Sequence, residues 1–247
     1  MKDEQGGKGA ARQPGGLNRR DFLKASGTVY LVAAVGCSKE AAEEHPKTPP
    51  EPPTEQVDAS KLEFPPSRGY LLVDFKKCQG CLTCMLGCSL AHEGRENLSL
   101  ARLQVMQDPF GSFPGDVALE PCRQCVDPEC VKSCPTGALH VDTKNGNIRT
   151  VDKERCDGCL SCVQACPFDT GRAIWNHEQG RAMKCDLCAD APYWNEKGGP
   201  DGKQVCVEVC PVGAIQLARE IPLQKGDAGY CVNLRGEGWQ RIGYAID

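Results

Sequence analysis

The chain has 247 residues, a formal net charge of -4 and 18 cysteines, while aromatic residues make up only 6%. So many thiols in so long a chain do not fit a small disulfide scaffold, which usually stays under about 100 residues, and no clustered basic face marks a nucleic-acid footprint. A chain poor in large apolar groups must gain cohesion elsewhere, and bound inorganic cofactors supply it because their binding free energy is also folding free energy.

Residues 1–24 are polar and glycine-rich and end in Arg19-Arg20-Asp21-Phe22-Leu23-Lys24. Residues 25–36 are uncharged and mostly apolar; twelve residues are too few for a bilayer span of about 20 but fit a signal h-region. Residues 1–36 hold six Lys/Arg and three Asp/Glu, a net +3, which leaves -4 - 3 = -7 for the rest. The two arginines before Phe-Leu-Lys resemble a twin-arginine export signal, so residues 1–36 are expected to be a signal peptide and the protein periplasmic. Cys37 follows small residues and precedes a polar stretch, which makes it a candidate for lipidation and the protein a candidate membrane-anchored lipoprotein. Residues 37–60 carry five prolines between positions 46 and 53 and read as an extended linker.

From Lys61 the chain is expected to fold, and repeats organise it. "CQGCLTCMLGC" at 78–88 and "CDGCLSCVQAC" at 156–166 share one template; "CVKSCPTGAL" at 130–139 and "CVEVCPVGAI" at 206–215 share another. Between them, Asn145-Gly146 stands between two short β-prone runs and predicts a hairpin. The coarse expectation is cysteine loops, short helices after them, and hairpins. Residues 219–247 form a C-terminal extension without a long apolar run.

Sixteen cysteines fall into four sets: Cys78, Cys81, Cys84 and Cys88; Cys122, Cys125, Cys130 and Cys134; Cys156, Cys159, Cys162 and Cys166; Cys185, Cys188, Cys206 and Cys210. Disulfides need particular Cα separations, which consecutive C-x-x-C-x-x-C spacings in one loop do not favour. Zinc usually takes two separated C-x-x-C pairs. The third set instead matches the bacterial ferredoxin run C-x2-C-x2-C-x3-C-P, whose fourth cysteine ligates the other [4Fe–4S] cluster of a pair. Sixteen ligands then imply four [4Fe–4S] clusters. With the fourth cysteine crossing over, the groups are Cys78/Cys81/Cys84/Cys210, Cys185/Cys188/Cys206/Cys88, Cys122/Cys125/Cys130/Cys166 and Cys156/Cys159/Cys162/Cys134. The fold class expected is α+β, with one ferredoxin-like dicluster unit (119–179) inserted in another (61–118 plus 180–218).

This layout resembles the four-cluster iron–sulfur subunits of molybdopterin oxidoreductase complexes, the dimethyl sulfoxide reductase electron-transfer type, over about residues 68–217. "EPCRQCVDPECVKSCPTGAL" and "KCDLC…CVEVCPVGAI" carry the resemblance. It implies a chain that is itself non-catalytic and passes single electrons between a molybdenum or tungsten catalytic subunit and a membrane quinone-reactive subunit. The alternative is a stand-alone, lipid-anchored periplasmic ferredoxin-like carrier, which the tether at 37–60 would suit; a structural zinc protein is disfavoured by the ferredoxin spacing.

Other residues carry plainer expectations. Cys231, outside every set, is expected to be a buried thiol. His45, His92, His140 and His177 share no helical spacing and suggest no haem or metal site. Lys184 and Arg155, each just before a ligand cysteine, either raise a cluster potential through charge or lie in solvent. "GGPDGKQ" at 198–204 lacks phosphate-loop spacing and reads as the tip of the insert in the fourth set. Trp175 and Trp194 are expected in the core.

Overall fold

The computed structural model describes residues 62–224 and 229–243; the expectations for the signal peptide, Cys37 and the proline-rich linker lie outside the described residues. Strands are short, four residues each, and all pair in antiparallel twos: β1 (Tyr70–Val73) with β8 (Ile215–Ala218), β2 (Gln104–Gln107) with β3 (Val117–Glu120), β4 (Leu139–Asp142) with β5 (Ile148–Val151), and β6 (Ala173–Asn176) with β7 (Arg181–Lys184). Helix α1 (Thr83–Glu93) is the one helix of length among the described residues. Single-turn helices α2 (Glu129–Lys132), α3 (Ser161–Gln164) and α4 (Val205–Glu208) follow cysteine loops, and α5 (Glu237–Arg241) lies near the C-terminus. Among the described residues no helix is long and apolar enough to cross a membrane.

The β1–β8 pair joins the two ends of the cysteine-rich region, with Tyr70 opposite Ala218 and Val73 opposite Ile215. Asp74 extends that closure: it is almost fully buried, and its carboxylate accepts from the Leu234 amide at 2.8 Å and from Arg235 Nε at 3.1 Å. Segment 230–235 thereby straps across β1, with the Val73 amide donating to the Tyr230 carbonyl and the Val232 amide to that of Val73. Helix α1 ends where Gly94 turns left-handed (φ 67°), its amide still donating to the Leu90 carbonyl, a close that glycine permits at little cost.

The hairpin expected at Asn145-Gly146 is β4–β5, though not as a two-residue turn. Asp142 caps a five-residue loop by accepting from the Lys144 and Asn145 amides, and both Gly146 (φ 69°) and Asn147 (φ 60°) are left-handed. A side chain at Gly146 would lie 2.9 Å from Pro200. That contact seats the 198–204 stretch, read as the tip of the insert, against the β4–β5 loop, with Asp201 and Lys203 left exposed. Gly199 and Pro200 are buried, and buried Gln204 donates to the Gly199 carbonyl at 2.7 Å. Proline and glycine serve close packing here rather than a free turn.

The main core draws on Leu71, Val73, Met85, Leu103, Leu119, Leu187, Val205 and Ile215 together with buried cysteines. A smaller core gathers Leu139, Ala173 and Ala182 with Cys162. Trp194 packs against the first, as expected for a core tryptophan. Cysteine thus does the space-filling that leucine and phenylalanine do elsewhere, which accounts for the low aromatic content.

Candidate metal centre

Each set of cysteines sits in a loop whose backbone enters the left-handed region. Leu82 (φ 62°) and Leu160 (φ 63°) hold matching positions in the two C-x2-C-x2-C-x3-C repeats, and Gly80 (φ 64°) and Gly158 (φ 78°) stand two residues before them. Gln124 (φ 47°), Leu187 (φ 55°) and Cys188 (φ 60°) do the same in the second and fourth sets. Asn147 is the one non-glycine of positive φ outside these loops among the described residues. A left-handed leucine costs roughly 1–2 kcal/mol, and such strain persists where a site over-determines it. Close approach adds a second reason for glycine: a Cβ on Gly158 would lie 2.7 Å from the Gly180 carbonyl oxygen.

Two openings each bring four thiols together from paired loops. Cys122, Cys125, Cys130 and Cys166 line an opening of about 350 Å³ that merges with solvent. Cys134, Cys156, Cys159 and Cys162 line another of about 320 Å³. Cys130 within α2 and Cys134 just after it therefore face different spaces. Burial pushes the Cys84 thiol up to about 12, and its charged neighbours are Cys78, Cys210 and Cys81. Burial pushes the Cys206 thiol far up, and the charges of Cys188, Cys185, Cys88 and Cys84 push the same way. Among the described residues no three His, Cys, Asp or Glu side chains converge on one ion-sized point.

Backbone donors complete the fit. The fourth cysteine of every set accepts an amide from a residue further along the chain: Arg102 to Cys88 Sγ at 3.3 Å, Leu139 to Cys134 at 3.3 Å, Arg172 to Cys166 at 3.2 Å and Ala214 to Cys210 at 3.2 Å. Donors to sulfur favour the thiolate and are one of the protein's levers on a cluster's potential. Of the sixteen thiols only Cys81 and Cys159 are exposed. The Thr83 hydroxyl donates to Cys81 Sγ at 3.4 Å and holds its thiol below the usual range.

Charge around the sites is uneven, and the spacing of cysteines did not reveal it. Lys184 is 4% exposed, with Nζ donating to the Arg149 carbonyl at 2.8 Å. The surface alternative for this residue is therefore excluded, whereas Arg155 is exposed and donates to the Thr136 carbonyl at 2.8 Å. Arg149 is wholly buried, its guanidinium donating to the carbonyls of Pro65 and Asn147. Beside Cys88, His92 is buried and shares Asp186 with Arg102: Nε2 lies 3.1 Å from Oδ1, and Arg102 donates to Oδ2 at 2.9 Å. Burial works against a charged His92, but the hydrogen bonds to Asp186 and Cys88 prevail and raise it to about 9. Sequence reading passed over His92: Cys88 stands one helical turn before it, but Asp186 is 94 residues away. Cys231 corrects another expectation. It is exposed, because it lies on the outer strap, bridged to Val73, with its side chain turned from the core that Tyr230 enters.

Comparison with known proteins agrees with this chemistry. Residues 116–220 match the family described as a 4Fe-4S dicluster domain, a span that holds the second, third and fourth cysteine sets. The chain is 34% identical to the thiosulfate reductase electron transfer subunit PhsB of Salmonella typhi, over 60% of this chain and 74% of that one. It is 38% identical to the polyferredoxin-like subunit of an aliphatic sulfonate oxidoreductase from Pyrococcus furiosus, over 58% and 72%. It is 32% identical to the NrfC homolog of Haemophilus influenzae, over 80% and 78%.

Proposed function

Because the chain belongs to the family of iron–sulfur electron-transfer subunits of oxidoreductases that carry 4Fe-4S dicluster domains, we propose that it holds four [4Fe–4S] clusters and relays single electrons between two partners. In this reading the partners are a molybdenum- or tungsten-containing catalytic subunit and a membrane quinone-reactive subunit. The ligands are the four crossed groups, Cys78/Cys81/Cys84/Cys210, Cys185/Cys188/Cys206/Cys88, Cys122/Cys125/Cys130/Cys166 and Cys156/Cys159/Cys162/Cys134, in two nested ferredoxin-like units. When bound, such a cluster accepts and returns one electron without making or breaking a substrate bond.

The observation that carries the reading is the order in which the groups neighbour one another. Cys84 of the first acts on Cys206 of the second. Cys122 of the third acts on Cys185 of the second. Cys130 of the third acts on Cys162 of the fourth. These charge contacts support an order first, second, third, fourth, and the two exposed thiols among the sixteen, Cys81 and Cys159, belong to the first and fourth groups. A row buried in the middle and open at both ends suits relay between two partners. The pairing of β1 with β8 supports the nesting, since it brings Cys78, Cys81 and Cys84 beside Cys210. Export by the twin-arginine route, which carries folded proteins, would deliver the clusters already assembled, and a lipid at Cys37 would hold the domain at a membrane.

The test is iron and acid-labile sulfide on anaerobically purified protein, with EPR after dithionite. About sixteen of each per chain, with interacting reduced-cluster signals, is expected. Zinc in place of iron, or no sulfide, would refute the relay. Co-purification of a large catalytic subunit separates the subunit from the free carrier.

A further inference from the structure

The four sites differ in the charge that lines them, and one stands apart. The charged residues lining the opening between Cys122, Cys125, Cys130 and Cys166 are Arg123, Arg149, Arg172 and Lys184, with one acid, Glu129, that is half exposed and paired with Lys132. Arg172 is paired with Glu120 and Arg123 lies over the Phe168 ring at 4.2 Å. Lys184 and Arg149 have no such compensation: among the described residues their partners are carbonyl oxygens, those of Arg149 and Cys185 for Lys184, and of Pro65, Asn147 and Val126 for Arg149. A buried cation without an anion is strongly unfavourable. Both cations line the cysteine group: Lys184 meets the charge of Cys122 and Cys130 first, and Arg149 that of Tyr70 and then of Cys122, Cys125 and Cys130.

The other sites lack this. No Lys or Arg lines the opening between Cys134, Cys156, Cys159 and Cys162, which instead has Asp157. Arg155 beside it is exposed, so its charge is screened by water. At Cys88 two cations, Arg102 and His92, share the Asp186 carboxylate at 2.9 and 3.1 Å, and Glu93 lies 3.8 Å from Arg102, so their charge is compensated. Near Cys78, Lys77 is only partly buried and donates to the Leu234 carbonyl.

Resting on the reading of the chain as a cluster relay, we propose that Lys184 and Arg149 make the Cys122/Cys125/Cys130/Cys166 centre the highest-potential member of the row, an interior resting place for the electron. Adding an electron adds negative charge, and fixed positive charge at low dielectric favours the reduced form. The row then does not descend evenly from end to end. It carries a well at its third member, next to the exposed end member at Cys159. Lys184 acts as a positioning charge and is not itself a ligand.

The test is a potentiometric EPR titration of the full chain, purified anaerobically, after its iron content is known. Iron far below about sixteen per chain would refute the relay itself, and this is seen before any potential is measured. With iron intact, Lys184→Met should lower one midpoint alone by at least tenfold in the reduced-to-oxidised ratio, about 59 mV for one electron, and Lys184→Arg should restore it. A Lys184→Met protein with full iron that titrates like the wild type overturns the proposal. Should that variant lose iron, the wild-type order still decides. The first signal to appear on reduction must be the one altered by Cys125→Ser and untouched by Cys159→Ser; the reverse assignment overturns the proposal.

Discussion

Two glycines that touch each other allow the cost of building a cysteine loop to be separated into its parts. Gly180 is left-handed (φ 62°) with nothing within 4 Å of the place a Cβ would take. Gly180→Ala therefore incurs only the backbone term, about 1 kcal/mol. Gly158, between Cys156 and Cys159, has φ 78°, and its Cβ would lie 2.7 Å from the Gly180 carbonyl oxygen and 3.0 Å from the Trp175 ring. Backbone oxygen cannot swing aside like a side-chain end, so Gly158→Ala adds an overpacking cost of about 2 kcal/mol, for a total of about 3. Each 1.4 kcal/mol or so is a factor of ten. If iron leaves through local opening of this loop, Gly180→Ala should speed anaerobic bleaching of the visible absorption by a chelator about fivefold, and Gly158→Ala more than a hundredfold. Only the share of absorbance belonging to the Cys134/Cys156/Cys159/Cys162 site should be lost quickly. Equal rates for the two alanine variants would show that the close approach does not govern the loop.

Asp74→Asn leaves Arg235 buried beside a neutral group and should destabilise the fold by about 3–5 kcal/mol, read as a fall in thermal midpoint. Removing both charges with Asp74→Asn and Arg235→Met should cost less than Asp74→Asn alone. Burial pushes the Tyr70 hydroxyl up from 10.0 to about 12; a raised folded value means stability present below pH 10 and lost as pH climbs through 12. Tyr70→Phe should flatten that alkaline decline in urea unfolding midpoints measured from pH 9 to 12. Iodoacetamide applied anaerobically to native protein should modify Cys231, while the sixteen set cysteines become reactive only after iron is removed, as peptide mapping will show.

The chemistry of the sites was legible because it is local. Ligand spacing within a loop is written directly in consecutive residues, as in Cys156 to Cys166, and the matching glycines at 80 and 158 could be read as backbone that must curl. The left-handed leucines at 82 and 160 could not, since nothing in a leucine announces positive φ; the strain is imposed by the loop around it. Long-range electrostatics were equally hidden. Arg149 stands in an ordinary β-prone run, and Lys184 has a sequence neighbourhood compatible with solvent or with burial; only packing of β5 against β7 decides. Cys231 was misjudged because cysteine usually is buried, whereas its strap alternates, with Tyr230 turned in and Cys231 out. The packing of residues 198–204 was hidden as well: nothing in their glycines and proline announces that Pro200 sits against Gly146.

The union of β1 with β8 also has a consequence in time. A chain leaving the ribosome presents Tyr70–Val73 long before Ile215–Ala218 exists to pair with it, and Asp74 must wait longer still for Arg235. The hairpins β4–β5 and β6–β7 close among near neighbours in sequence, so the interior of the molecule can be finished while its margins are still open. Construction proceeds from the middle outward, and residues 230–235, made some 160 residues after β1, lock that strand in place.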